Sequence, residues 1–166
     1  LYTVSVNQLS GNGVRWGISS SKEFYLKSNL FKLNGLYANI YRSLLPPDDT
    51  KRKTFFSEKL RKMKFDLSVN RLELVNSKLE YEEETEKSIG TGKLTFSSIN
   101  ATVKNINSGY TKKSLPTVIV DWRSEFMNGD LRANWGFNPM NTSDKFNING
   151  GITNLPAKNL DPFVKP

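Results

Sequence analysis

The residue types that most often carry out polar chemistry are missing from this chain. Histidine is absent, which removes the commonest general base, the usual proton shuttle and the commonest zinc ligand together. Cysteine is absent too, so neither Ser-His nor Cys-His nucleophilic pairs can be assembled, and there is no disulfide framework. The acidic run Glu80, Glu82, Glu83, Glu84 and Glu86 is dense enough to supply a carboxylate pair for glycoside hydrolysis. Nothing in the sequence buries or pairs either acid, and a charged hairpin tip between Tyr81 and Leu94 is the expected role. Asp48, Asp49 and Asp161 are too scattered for a calcium loop. Gly90-Thr91-Gly92-Lys93 lacks the glycine spacing and the following helix of a phosphate cradle. The expectation is a segment that performs no catalysis and holds no cofactor or metal.

Charge offers a second kind of chemistry. A net charge of +8 and a pI near 9.6 suit an anionic partner, and the charge is clustered at Lys51, Arg52, Lys53, Lys59, Arg61, Lys62 and Lys64. Tyr25, Tyr37, Tyr41 and Tyr110 do not interleave with that run as a base-stacking platform requires, which argues against nucleic acid. Lys51, Arg52, Lys53, Lys59, Arg61 and Lys62 remain as candidates for contact with an anionic membrane surface. The run brackets the one departure from strand periodicity. After Pro46-Pro47-Asp48-Asp49, a turn signal, Phe56, Leu60 and Met63 fall at helical spacing with Thr54 as a candidate cap. The spacing predicts a short basic amphipathic helix near 54–63 whose apolar stripe plugs one end of a sheet while its lysines are solvated.

Everything else alternates. Val4 and Val6; Val14, Trp16 and Ile18; Phe24 and Leu26; Leu36, Ala38 and Ile40; Phe65, Leu67 and Val69; Leu94 and Phe96; Ile99, Ala101 and Val103 each give a period-two strand signal. Parity slips at Asn70-Arg71 and Ser97-Ser98, which reads as bulges that curl the sheet. The clearest unit is a hairpin over 118–137 turning at Asn128-Gly129, the strongest pair for a type I′ turn. That turn pairs Phe126 with Leu131, Ser124 with Ala133, Trp122 with Trp135, Val120 with Phe137, and Glu125 with Arg132. A third strand returns with Phe146 opposite Phe137, Ile148 opposite Trp135 and Ile152 opposite Leu131. The ribbon is then polar on one side and apolar on the other.

The fold expected is all-β: a strongly curved antiparallel sheet, a trough-like groove or a sandwich, with one short helix. Its 166 residues fit one segment, with N-terminal strands over 1–50, the basic helix over 51–64 and an antiparallel meander over 65–166. Leu1 starts inside an alternating pattern, which suggests a piece excised from a longer protein. No run has the length of a membrane-spanning helix.

From Leu36 onward the order of motifs resembles the AsmA-like proteins of Gram-negative bacteria, in the form common in Bacteroidota. The resemblance is carried by Leu36-Tyr37-Ala38-Asn39-Ile40-Tyr41-Arg42, by Pro46-Pro47-Asp48, and by the helix ending Leu60-Arg61-Lys62-Met63. It continues through Leu72-Glu73-Leu74-Val75-Asn76-Ser77-Lys78-Leu79-Glu80-Tyr81, Gly92-Lys93-Leu94-Thr95-Phe96, and the tail Ile152-Thr153-Asn154-Leu155-Pro156 through Pro162-Phe163. Ser77 stands where that family more often has glycine. The resemblance implies a periplasmic protein anchored to the inner membrane by an N-terminal segment absent from this chain. It also implies repeated curved sheets with an apolar lining, associated with phospholipid movement and outer-membrane homeostasis.

Two functions follow as expectations. In the first, a phospholipid or other acyl lipid lies along the apolar face, and neighbouring β repeats of the same chain extend the groove. The candidate lining residues are Phe65, Leu67, Leu94, Phe96, Val120, Trp122, Ala133, Trp135, Phe137, Phe146 and Ile148. In the second, the same residues form the dry core of a closed β-sandwich that serves as a structural or adhesive repeat.

Overall fold

The computed structural model describes residues 2–43, 54–84 and 90–164. Alternation is converted into eight strands: β1 (Tyr2–Asn12), β2 (Arg15–Ile18), β3 (Phe24–Ser43), β4 (Asp66–Glu84), β5 (Thr91–Asn107), β6 (Val118–Phe126), β7 (Gly129–Phe137) and β8 (Phe146–Thr153). They form one sheet ordered β1-β3-β4-β5-β6-β7-β8, with β2 beside β3 as a continuation of the β1 edge. The sheet does not close into a barrel, and the described residues supply no second sheet to face it.

The expected antiparallel meander runs from β4 to β8. The β3–β4 pair departs from it: Tyr25 to Ser43 lie parallel to Asp66 to Glu84. A parallel pair needs a long crossover, and the chain between Ser43 and Asp66 provides it, carrying helix α1 (Phe56–Arg61). The helix is shorter than its spacing predicts. Phe55, not Thr54, takes the cap position, without a side-chain capping bond.

Strands β3, β4 and β5 span 20, 19 and 17 residues, far beyond the usual five or six, because each passes through local kinks without ending. Asn76 and Ser98 have φ of 47° and 51° where the β4–β5 and β5–β6 registers shift. Gly35, with φ 63°, is their counterpart in β3; a Cβ there would lie 2.3 Å from the Asn7 amide nitrogen of β1. A second line crosses lower down, where Asn70 donates to Asn29 at 3.4 Å and Asn105 takes φ 63°. At each line parity flips, so that Val69, Leu72, Leu74, Ser77 and Leu79 keep one face despite uneven spacing. The slips read at 70–71 and 97–98 are these kinks; the one at Asn76 is a third that the sequence reading did not mark.

The hairpin register differs from the expected one by two residues. Met127 and Asn128, with φ 49° and 66°, are the two turn residues, and Phe126 pairs with Gly129, Ser124 with Leu131, Trp122 with Ala133 and Val120 with Trp135. A two-residue shift preserves the faces but changes the partners. Glu125 therefore faces Asp130, and Arg132 faces Arg123. The β7–β8 register is as expected: Phe137 with Phe146, Trp135 with Ile148, Leu131 with Ile152.

Burial is concentrated in the central strands. Val69, Ile99, Ala101, Val118 and Val120 are the buried apolar side chains, whereas every residue of β1 and β8 is exposed. Three small elements cap the strand ends. Helix α1 sits at one end, where Gly109 N donates to Leu60 O at 2.8 Å. At the other, a 3₁₀ turn (Ala157–Leu160) and helix α2 (Asp161–Val164) fold back on β5. There Phe163 meets the Tyr81 ring at 6.4 Å, and Asn159 Nδ2 donates to Met127 O at 2.8 Å.

Candidate functional site

The side chains that alternate inward share a single apolar face, and ten of the exposed large ones belong to the outermost strands or their immediate neighbour: Tyr2, Val4, Val6, Leu9, Trp16, Ile18, Phe24, Phe146, Ile148 and Ile152. Trp16 at 67 % and Ile148 at 65 % exposure mark the two edges. Exposure on that scale is unfavourable by about 25 cal/mol for each Å² of apolar surface left in water. It forms two contiguous stripes, not scattered single residues.

Within this face the eleven candidate lining residues separate into groups. Phe96, Trp122 and Trp135 form a chain of rings, with centroids 6.5 Å apart for Phe96–Trp122 and 6.2 Å for Trp122–Trp135. Phe126 joins it at 4.8 Å from Phe96. Trp135, Phe137, Phe146 and Ile148 line a cavity of about 320 Å³ with Phe55, Phe56, Ser57 and Asp144. Leu94 lies opposite Tyr81 toward the Phe163 end. Phe65 and Leu67 lie near the other end, Phe65 against the Phe24 ring at 5.4 Å and Leu67 opposite Leu26. Ala133 sits between Trp122 and Gly150. Val120, 5 % exposed, is part of the packed floor and presents no surface.

Phe55 and Phe56 were the residues least visible as site members. Phe56 stood out only as one step of a helical stripe, yet in the structure both remain exposed and wall the cavity from the α1 side. The polar side of α1 fixes this wall. Ser57 Oγ donates to Asp144 Oδ1 at 2.7 Å. Arg61 donates to the same oxygen at 2.9 Å, and to the Pro139 and Asn141 carbonyls at 2.7 and 2.8 Å.

The membrane-surface candidates accordingly part company. Lys51, Arg52 and Lys53 lie outside the described residues. Arg61 is turned inward, its side chain only 17 % exposed, because the loop before β8 consumes its guanidinium; it is a clamp and offers no free charge. Lys62 pairs with Glu58 at 2.5 Å. Lys59 is exposed, its ammonium 5.5 Å from the Phe56 ring centroid, which sets one cation at the rim of the aromatic cavity.

The acidic run is better partnered than its sequence suggests. Glu80 is buried on the polar face, where Lys78 and Lys93 lie at 2.8 and 3.0 Å and the Tyr37 hydroxyl donates at 2.8 Å. Lys78, followed by Tyr37 and Lys93, outweighs burial and lowers its pKa to about 2. Such a carboxyl is a weak base and is ionised at neutral pH, the reverse of a general acid. Among the described residues no group of three metal-ligating side chains converges. No family model, curated protein or solved structure matches the chain.

Proposed function

We propose that this chain is an acyl-lipid-binding module that works without catalysis, holding phospholipid tails on the apolar face of its open sheet as AsmA-like envelope proteins of the periplasm are expected to do. The observation that carries the reading is the aromatic cavity of about 320 Å³ between α1 and the β7–β8 edge, opening on an apolar stripe that no described element covers. A tail laid there gains about 0.8 kcal/mol for each methylene removed from water. Lys59 at the rim suits the anionic headgroup of a phospholipid. An anchor in a preceding segment and pairing with neighbouring β repeats of the same chain belong to the same proposal. Among the described residues the outer edges of β1 and β8 pair with no strand, which supports that pairing.

Tryptophan fluorescence tests the reading directly. Trp135 lines the cavity, whereas Trp16 lies on the opposite edge. A phospholipid carrying bromine or a nitroxide at the end of its tail is expected to quench wild type and Trp16→Phe protein saturably, and the Trp122→Phe/Trp135→Phe double variant, which keeps only Trp16, much less, Trp122 being 6.2 Å from Trp135. Native mass spectrometry of protein purified from bacterial membranes should then show bound phospholipid. A lipid-free folded preparation, with no quenching and no rise in fluorescence of an apolar dye, would overturn the proposal in favour of a scaffold or adhesive repeat.

A further inference from the structure

The polar face of the sheet carries a second cavity, of about 650 Å³, whose walls are two transverse rows of side chains. One row runs in register through Glu73, Thr102, Asp121, Asn134 and Asn149. The other runs through Asn100, Arg123, Arg132 and Gly151. Between them lies the row Leu74, Ala101, Trp122, Ala133 and Gly150, whose side chains alternate to the apolar face and whose backbone is therefore the floor. Val120 and Trp135, which would wall a cavity on the apolar side, do not line it. The slot thus opens on the face opposite the proposed lipid surface.

Arg123 and Arg132 are directly opposed across the β6–β7 hairpin. Like charges in that position oppose sheet formation, and among the described residues neither guanidinium has an ion-pair partner. Four of the slot's other polar side chains are engaged within the sheet. Glu73 takes Arg71 at 2.8 Å, Asp121 accepts from Asn134 Nδ2 at 2.6 Å, and Asn100 accepts from Asn76 N at 3.3 Å while donating to Ser98 O at 3.0 Å. Beside Arg132 the space is open, because Gly151 carries no side chain and a Cβ there would meet nothing within 4 Å.

We propose that this slot binds a phosphate monoester, its oxygens bridging the guanidiniums of Arg123 and Arg132. Two planar forks facing one small dianion give several short charge-assisted bonds, and the shared anion turns the repulsion of the pair into cohesion. The ligand can come from solution or from a lipid headgroup; its recognition chemistry is the same. The proposal is independent of the acyl-lipid reading, since it uses the other face of the sheet.

The test uses the full chain with glycerol 3-phosphate as soluble probe, in calorimetric titration and thermal melting against chloride at matched ionic strength. Phosphatidylcholine vesicles with and without phosphatidic acid form the lipid arm. Saturable binding is expected, with Arg123→Gln and Arg132→Gln each weakening it about tenfold or more while melting, ligand-free, at or above the wild-type temperature. Lys158→Gln, at an exposed lysine on the 3₁₀ turn that does not line the slot, should leave affinity within about twofold of wild type. Binding confined to the phosphatidic acid vesicles and lost in the same two variants would support the proposal with a lipid as source. Absence of saturable binding in both arms, or equal binding by wild type and the two variants, would overturn it.

Discussion

Removing the charge of Glu80 tests the polar face of the long strands quantitatively. Its pKa falls from 4.5 to about 2 in the folded chain, so folding favours the ionised form. At about 1.4 kcal/mol per pKa unit, the linkage contributes roughly 3 kcal/mol at neutral pH. This is an upper figure, because Lys78 and Lys93 are 46 % and 41 % exposed and salt screens their attraction. The sign follows from the direction: a carboxyl depressed on folding stabilises the protein fully above its unfolded pKa, and the stabilisation is lost as pH falls from about 4.5 toward 2. Urea unfolding of wild type and Glu80→Gln at pH 7, 4.5, 3.5 and 2.5 measures it. Glu80→Gln is expected to lose about 2–3 kcal/mol at pH 7 and to converge on wild type as the pH drops. Parallel profiles with a constant offset would refute the reasoning and assign the loss to packing.

Three further outcomes follow from positions already described. Ile148→Asp, at a side chain already mostly in water, should shift unfolding free energy by less than about 1 kcal/mol yet abolish tail quenching of Trp135; loss of fold would contradict the exposure of the β8 stripe. Arg61→Met removes the guanidinium from Asp144, which keeps its bond from Ser57, and from the Pro139 and Asn141 carbonyls, and should cost about 2–3 kcal/mol, read as a lower urea midpoint. Gly35→Ala forces a Cβ into positive φ against Asn7 and should cost more than about 1 kcal/mol, with hydrogen exchange of the β1–β3 amides accelerated first.

Strand faces were legible because period two survives each kink, but pairing depends on what holds the turns. At 126–129 the Asn-Gly pair fits a type I′ turn, yet Met127 and Asn128 occupy it. Met127 is fixed from outside the hairpin: its N–H donates to Thr95 O at 3.0 Å, and its carbonyl accepts from Asn159 at 2.8 Å. Gly129 serves packing instead, since a Cβ there would lie 2.8 Å from Leu155. None of those partners lies within the window a turn motif reads. The β7–β8 register, by contrast, is set by Phe137, Trp135 and Leu131 meeting Phe146, Ile148 and Ile152, which the apolar pattern alone contains. The parallel β3–β4 pair was hidden for a related reason, because strand direction is decided by the crossover and not by alternation. The aromatic cavity was half legible: its sheet wall follows from parity, while its α1 wall depends on the Arg61 and Ser57 bonds to Asp144.

The edges bear on what the exposed stripes are for. A self-contained sheet guards its outer strands with lysine, proline or inward charges, because unpaired backbone there recruits other strands. Neither β1, YTVSVNQLSGN, nor β8, FNINGGIT, contains a charged residue or a proline. Their apolar side chains also lie on the same face of the sheet, so a strand added at either edge would prolong the apolar surface without a step. β1 and β8 run in opposite directions through the ladder, and a β8 edge meeting a following β1-like strand would therefore pair antiparallel, as most of this sheet does. Edge chemistry and face chemistry thus point the same way. Unguarded backbone favours lengthwise extension, and the central valines, already dry, leave the wet stripes beside each edge as the place where an acyl tail would gain most under the proposed function.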